Sequence, residues 1–552
     1  MDEVTHDQAL HIGIWGDKVE PLTDDIEEWV KATFGLTDLE EECKRVLSRE
    51  QEVFPITLPE PTLGNAVVEE LAAIADLHFT TDPLQRLKHS VGKSYYDILR
   101  LRNGRLTHFA DAVVSPITTH ALERFLEVAK RERITVTPAG GRTAVTEAFE
   151  PVRGGVVVDL LSLNKVVKFE PDNCLVRVEA GILFPALEDW LGKRGFKLGH
   201  SPQSFMLASV GGTIAARGSG QHCALYGPME QLVQDVTVLT PRGTFNHRSM
   251  RTPKSAVGPD LSRLFIGSEG ALGLITHADL RITPVQDIDY KAFLYKNFED
   301  GLDAVREIYQ RHLRPATIRL SDPEETDLFM RLGSDSDEDG GVVKYLFRTV
   351  GKMYIKRRGY GGEHKCLMVT HYEGDEELVR TTKERVTDIC KSHDAMSLGQ
   401  SPGKTWYDGR YDLPYLRESL LRLGLLVDTL ETATTWENLT TLYTACIANL
   451  KKYCPVAMAH VSHIYPQGAS LYFTFIASED FNWDEPLIQR IRRSHIETVL
   501  KNGGTISHHH GVGQAFHSFV SEERPPLARG LLQELKSYFD PDGIMNPASG
   551  FV

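Results

Sequence analysis

Apolar side chains recur at helical spacing between acidic ones from Leu22 to about Glu52, and three prolines then punctuate Phe54 to Pro61. The first stretch predicts helix and the second a linker. From about Arg105 to Val285 the pattern changes to short β-branched runs parted by glycine and proline: Ile134 to Thr137, Gly155 to Leu160 and Leu175 to Glu179. These predict strands. Helical spacing returns between them, at Thr119 to Arg131 and at Pro185 to Arg194, where proline suits the first helical position. From Asp287 to Asn502 the two patterns alternate more loosely around a charged stretch, Gly333 to Tyr360, and Leu471 to Phe475 alternates like a strand. The tail from Gly503 is loop-like. The expectation is an α+β protein in four segments: helices and linker over 1–104, a glycine-rich α+β unit over 105–285, a second α+β unit over 286–502, and a tail, 503–552, that returns to the first unit.

A chain of 552 residues exceeds what one hydrophobic core serves, so several domains and a large cofactor fit its size. A net charge of -15 argues against nucleic acid as a partner. The seven cysteines are scattered with no Cys-x-x-Cys pair, which suits a reducing compartment. The acidic start lacks a secretory or transit pattern, the ending Gly550-Phe551-Val552 is no peroxisomal signal, and no apolar stretch spans a bilayer. A cytoplasmic protein is expected. The basic and aromatic run Lys344 to Tyr360 suits peripheral contact with an anionic membrane and a solvated loop equally.

Candidate chemistry concentrates in Ser507-His508-His509-His510-Gly511-Val512-Gly513. Imidazoles exchange protons near neutrality, and glycines admit a ligand to the backbone. The competing reading is a metal clip through His508 and His510, though no Cys, Asp or Glu adjoins the run. Three glycine-rich loops offer amides to an anion: Pro138-Ala139-Gly140-Gly141-Arg142-Thr143-Ala144; Ser209 to Gly220, including Gly211, Gly212, Ala216, Arg217, Gly218 and Ser219; and Gly267 to Thr276, including Glu269, Gly270, Ala271, Leu272, Gly273, Leu274 and Ile275. Each alone reads better as a structural turn; their order and spacing within one unit favour a ligand. No Gly-x-Gly-x-x-Gly with a following acid appears, and Gly92-Lys93-Ser94 and Gly403-Lys404-Thr405 lack the leading glycine of a phosphate loop.

Taken in order, the loops resemble the vanillyl-alcohol oxidase (PCMH) type of FAD-binding domain. Within that superfamily the chain is similar to the alkyldihydroxyacetonephosphate synthases, carrying Ser-His-His-His-Gly-Val-Gly where 2-hydroxyacid dehydrogenases have Gly-Glu-His-Gly-Ile-Gly. Ala316 to Leu320, Tyr415-Leu416-Arg417-Glu418, Leu471 to Phe475 and the opening region from Trp15-Gly16-Asp17 to Trp29 agree. Arg142 departs from the pattern, standing where the family has a third glycine, and Gln203 to Ala208 lacks the acids of animal members.

The resemblance implies a two-part FAD-binding domain with a cap domain and an N-terminal helical extension. It implies noncovalent FAD on the three loops and Gln203, since no histidine stands where covalently flavinylated relatives carry one. The implied reaction exchanges the acyl chain of acyl-dihydroxyacetone phosphate for a long-chain fatty alcohol, without net redox change, by flavin that acts covalently. Tyr472 would shuttle the proton if a cation stabilises its phenolate, and Arg417 would clamp phosphate or the leaving carboxylate. Arg319 would assist. His509 and His510 would contact phosphate and alcohol, with His508 the third member of the run. A homodimer is expected. The alternatives are an FAD-linked 2-hydroxyacid dehydrogenase and a noncatalytic flavin- or lipid-binding protein.

Overall fold

The computed structural model describes residues 3–12, 14–15, 21–247, 252–332, 356–479 and 486–551. Gly16, Asp17 and residues 344–355 of the basic and aromatic run lie outside them.

Two sheets build the first half. In the smaller, the strands Ala112–Pro116, Val156–Asp159 and Val136–Ala139 run parallel, and Leu77–Thr80 pairs antiparallel at the edge. The helix Thr119–Glu132 buries Leu122, Phe125 and Val128 against this sheet, and Thr118 caps its start by accepting from the Ala121 amide. The second sheet is antiparallel, in the order Gly243–Asn246, Val233–Thr240, Leu274–Arg281, Leu175–Glu179, Val166–Glu170. The tail rejoins the smaller sheet, where Met545 bridges Val136 in parallel.

The second half is a seven-stranded antiparallel sheet. Its order is Met396–Gly399, Asp287–Tyr295, Cys366–Gly374, Thr317–Ser321, Val456–Val461, Gly468–Ser478, Leu425–Thr435. The helices Phe298–Gln310, Glu376–Ser392, Trp436–Leu450 and Leu487–Lys501 cover one face and bury its largest apolar core. The other face is open to the first half, and the cavity lies there.

The proline-punctuated segment differs from the expected linker. Ile56–Thr57 pairs with Glu3–Val4, and Leu58 is buried with Val4, Leu87 and Leu101. The prolines shape a packed corner because apolar side chains alternate with them. The helices Asp24–Phe34 and Leu39–Val53 also dock, placing fully buried Ile26 and Val30 against Leu420, Val427, Met458 and Ile476 of the second half.

Candidate active site

A cavity of about 360 Å3 lies between the halves, within the roughly 300–1,000 Å3 of an ordinary small-molecule site. All of Pro138 to Ala144 lines it, with Gln203, Ser209, Gly211, Gly212, Ala216, Gly218, Ser219, Glu269, Gly270, Gly273 and Ile275. The glycines are needed for close approach: a Cβ on Gly141 would lie 1.8 Å from the Leu207 carbonyl oxygen, and one on Gly140 2.2 Å from Ser209 Oγ. The amides of Gly140, Gly141, Arg142, Thr143 and Ala144 donate to no acceptor among the described residues. Unused amides on a glycine cradle fit the diphosphate of a dinucleotide.

Four residues expected at the cofactor lie elsewhere. Arg217 is the left-handed cap of the helix Val210–Ala216, and its exposed guanidinium turns outward to Glu230. Ala271, Leu272 and Leu274 are fully buried, their side chains committed to the apolar cores. Arg142 occupies a left-handed conformation, φ +53°, which explains why glycine suits this position. Its side chain is anchored by Asp159 at 3.3 Å and His89 at 2.8 Å.

The cap sheet supplies the side-chain chemistry. Alternation along Gly468–Ser478 points Tyr472, Thr474 and Ile476 into the cavity and Leu471, Phe473 and Phe475 into the helix-covered core. Arg319, His460 and Thr429 reach the cavity from neighbouring strands. In register, Glu431 pairs with Tyr472 and Tyr472 with His460, so three strands set a carboxylate, a phenol and an imidazole in one row.

The Tyr472 hydroxyl donates to Thr429 Oγ1 at 3.1 Å, and its ring stacks on His460 at 4.9 Å. Burial pushes the phenol up to about 12, and the pull of Arg319 is too small to reverse this. The cation-stabilised phenolate is therefore not what this site holds at neutral pH; the group stands as a protonated donor. Arg319 is committed nearby, donating to Glu325 Oε1 at 2.8 Å and to His460 Nε2 at 3.0 Å. Arginine can only donate, so Nε2 accepts and the His460 proton sits on Nδ1, 2.9 Å from Glu325 Oε1. Burial works against ionised Glu325, yet Arg319 and His460 hold it down at about 2.

The histidine loop hangs between two buried carboxylates, one from each half. Glu431 accepts the amides of His508, His509 and His510 at 2.6, 3.0 and 2.9 Å and the Ser507 hydroxyl at 2.8 Å. Although burial opposes its charge, His510, His508 and the amides keep Glu431 below the usual carboxylate range. Glu269 accepts the amides of Val512, Gly513 and Gly550 at 2.6, 3.1 and 2.6 Å. His509 and His510 face the cavity. His508 does not: its Nε2 lies 2.7 Å from the Tyr465 hydroxyl and its ring stacks on His463. Burial lowers all three imidazoles below their ordinary value. Among the described residues the loop's ligand atoms that gather within 4.8 Å of one another are those of His508 and His509 with His463, not the pair His508 and His510.

Arg417, on the helix Leu413–Leu421, lines another part of the cavity. Its Nη1 donates to the Lys93 carbonyl at 2.7 Å and its Nη2 to Glu418 at 2.7 Å, leaving guanidinium protons for an oxyanion. Burial, then Arg417, pushes the Lys93 amine down to about 7. Between the two arginines the wall turns apolar through Leu328, Phe329, Leu420, Val427, Met458 and Ile476.

Sequence reasoning missed Glu325, Glu431, His460 and His463. Glu431 left a signal, an acid inside the apolar strand Leu425–Thr435, and the two histidines left a weaker one just before Leu471 to Phe475.

The chain matches the family "FAD binding domain" over residues 110–248 and "FAD linked oxidases, C-terminal domain" over 286–549. It is 32% identical over 476 residues to the alkyldihydroxyacetonephosphate synthase of Dictyostelium discoideum, covering 84% of this chain and 77% of the relative. The Trypanosoma brucei brucei alkyldihydroxyacetonephosphate synthase is 30% identical, covering 94% and 84%. A solved alkyldihydroxyacetonephosphate synthase structure superposes with a TM-score of 0.81 at 27% identity over 99% of both chains. p-Cresol methylhydroxylase, at 15% identity and a TM-score of 0.67, shares the fold. The chain belongs to the alkyldihydroxyacetonephosphate synthase family, flavoenzymes of ether-lipid synthesis with FAD as cofactor.

Proposed function

We propose that this enzyme replaces the acyl chain of 1-acyl-dihydroxyacetone phosphate with a long-chain fatty alcohol, releasing the fatty acid. The observation that carries the reading is one cavity holding a glycine cradle, a phenol ringed by histidines, and an apolar arm. Bound FAD would supply a ring nitrogen able to hold the substrate carbon while the exchange stays redox neutral.

The protein's own groups handle charge and protons. The neutral Tyr472 phenol gives its proton to the departing carboxylate and recovers one from the substrate carbon, and the proton shed by the incoming alcohol returns to that carbon, so that fatty acid and alkyl product balance. Arg319 steadies negative charge beside it, its own geometry fixed by Glu325 and His460. Arg417 takes phosphate or carboxylate oxygens with its remaining N–H groups. His509 and His510, neutral through burial, donate N–H bonds to phosphate or hold the alcohol. The apolar arm, backed by Ile26 and Val30, excludes water and receives a hydrocarbon chain. No helix among the described residues is long and apolar enough to cross a membrane, and peripheral contact and a homodimer stay part of this proposal. The deciding assay is release of fatty acid from acyl-dihydroxyacetone phosphate that depends on added fatty alcohol. Bleaching of the flavin by D-lactate with no such release would overturn the reading in favour of a dehydrogenase.

Two expectations follow from the site. The purified protein is yellow, and trichloroacetic acid leaves the flavin in the supernatant, because the cradle holds FAD through backbone amides; colour kept in the pellet would show a covalent link. His509→Ala and His510→Ala each lower exchange activity by roughly 10- to 150-fold, the value of a hydrogen bond to a charged group at about 1.5–3 kcal/mol. Glu431 holds the loop through main-chain amides, so the melting temperature and flavin spectrum stay near those of the parent. A parallel fall in flavin content would assign the histidines to cofactor retention.

A further inference from the structure

Behind the wall of the flavin cavity, at the junction of the two halves, His222, His371 and Glu373 bring together ligand atoms within 4.8 Å of one another. His371 and Glu373 are alternate residues of the strand Cys366–Gly374, so they share a face. His222 comes from the first half, just before the short helix Cys223–Tyr226. All three are at least nine-tenths buried, at 5%, 1% and 5% exposure in chain order.

Their polar atoms are unsatisfied. His222 Nε2, both ring nitrogens of His371 and Glu373 Oε1 are buried without a hydrogen-bond partner. His371 Nε2 and Glu373 Oε1 lie 3.1 Å apart, yet they are not aligned to bond each other. His222 Nε2 and His371 Nδ1 have no hydrogen-bond partner, at a cost of about 1–3 kcal/mol each, and His371 Nε2 and Glu373 Oε1 have only each other. We propose that His222, His371 and Glu373 form a binding site for a divalent transition ion of the zinc type, which clasps the cap sheet to the FAD-binding half.

Ligand type and surroundings agree. Two imidazoles and one carboxylate are a known zinc donor set, with bonds of about 2.0–2.2 Å that put ligand atoms roughly 3.3 Å apart around a tetrahedral ion. The His371 and Glu373 pair already has that spacing. Lys197 and Arg410 are the cationic groups that act on the two imidazoles among the described residues; Lys197 is held on the carboxylate. It and the Tyr226 hydroxyl both bond Glu373 Oε2, the other carboxylate oxygen, and so orient Oε1 toward the imidazoles as outer-shell partners do. Tyr290 and Tyr407 pack on His371 and shield the site, at centroid distances of 5.4 and 4.5 Å. The site also reaches the cavity wall, because Gln221, beside His222, donates to Gln203 Oε1 at 3.0 Å.

The test uses untagged full-length holoenzyme. Elemental analysis should find about one zinc-type ion per chain; after mild chelation the melting temperature should fall, and Zn²⁺ alone should restore it at one equivalent. His371→Leu, which keeps an apolar filling between the two tyrosines, and His222→Gln should both lose the ion and the response to Zn²⁺. His509→Ala should keep them. Absence of metal together with no melting response to Zn²⁺ overturns the proposal and leaves the orphaned atoms to water. A metal lost in His509→Ala but kept in His371→Leu also overturns it, by moving the ion to the histidine loop. Neither result bears on acyl exchange, which is assayed separately.

Discussion

Tyr472→Phe is expected to lower acyl-for-alkyl exchange by roughly two to four orders of magnitude, the usual value of a positioned acid or base, with flavin content unchanged. The substitution removes one oxygen. The ring still stacks on His460, and its strand keeps Leu471, Phe473 and Phe475 in the core. Thr429 loses a partner that faces the cavity, where water replaces it. Folding and cofactor binding therefore stay intact while the only phenol lining the cavity among the described residues disappears. The pH profile carries a second readout. Burial holds the phenol near 12, so activity needing its proton persists through mildly alkaline pH and declines only as that range is approached. Turnover close to the parent would make Tyr472 a packing residue.

Arg492→Met is expected to cost about 3–5 kcal/mol of stability, the price of stranding buried charges. Arg492 lies in the helix Leu487–Lys501 and is 3% exposed. Its guanidinium donates to Asp428 Oδ2 at 2.9 Å, on the cap sheet, and to Glu147 Oε1 at 2.8 Å, in the first half. Methionine fills similar volume but leaves two carboxylates buried without their cation. Glu147 also accepts from Ser94, whose hydroxyl meets Asp97, and Arg100 joins Asp97 to Glu150. The loss thus reaches the contact between halves. Chemical denaturation of the flavin-loaded protein measures it. A change under 1 kcal/mol would mean that water reaches the carboxylates and that the pair contributes little across the interface.

Some of this was legible in the chain. The helix from Thr119 and the strand Leu175–Glu179 follow from local spacing, because periodicity and caps act over a few residues. The glycine loops were legible for a similar reason: a backbone that must pass close to another admits no Cβ, and Gly140 and Gly141, pressed against Ser209 and Leu207, record that constraint in their identity. The packed corner at Phe54 to Pro61 was not legible, since its strand partner, Glu3–Val4, lies some fifty residues away.

The sequence by itself determined the two-part α+β architecture, the cofactor loops and the residue types of the chemistry, since periodicity, glycine placement and the histidine run are properties of neighbours along the chain. Only the tertiary structure decided which of those residues meet. Strand register set Glu431, Tyr472 and His460 in one row, and Glu431 and Glu269 then fixed the histidine loop so that His509 and His510 enter the cavity while His508 turns to Tyr465. Burial decided the charge states: it keeps the phenol protonated and the imidazoles neutral. Such quantities depend on groups hundreds of residues apart and on the water excluded between them, which local sequence does not encode.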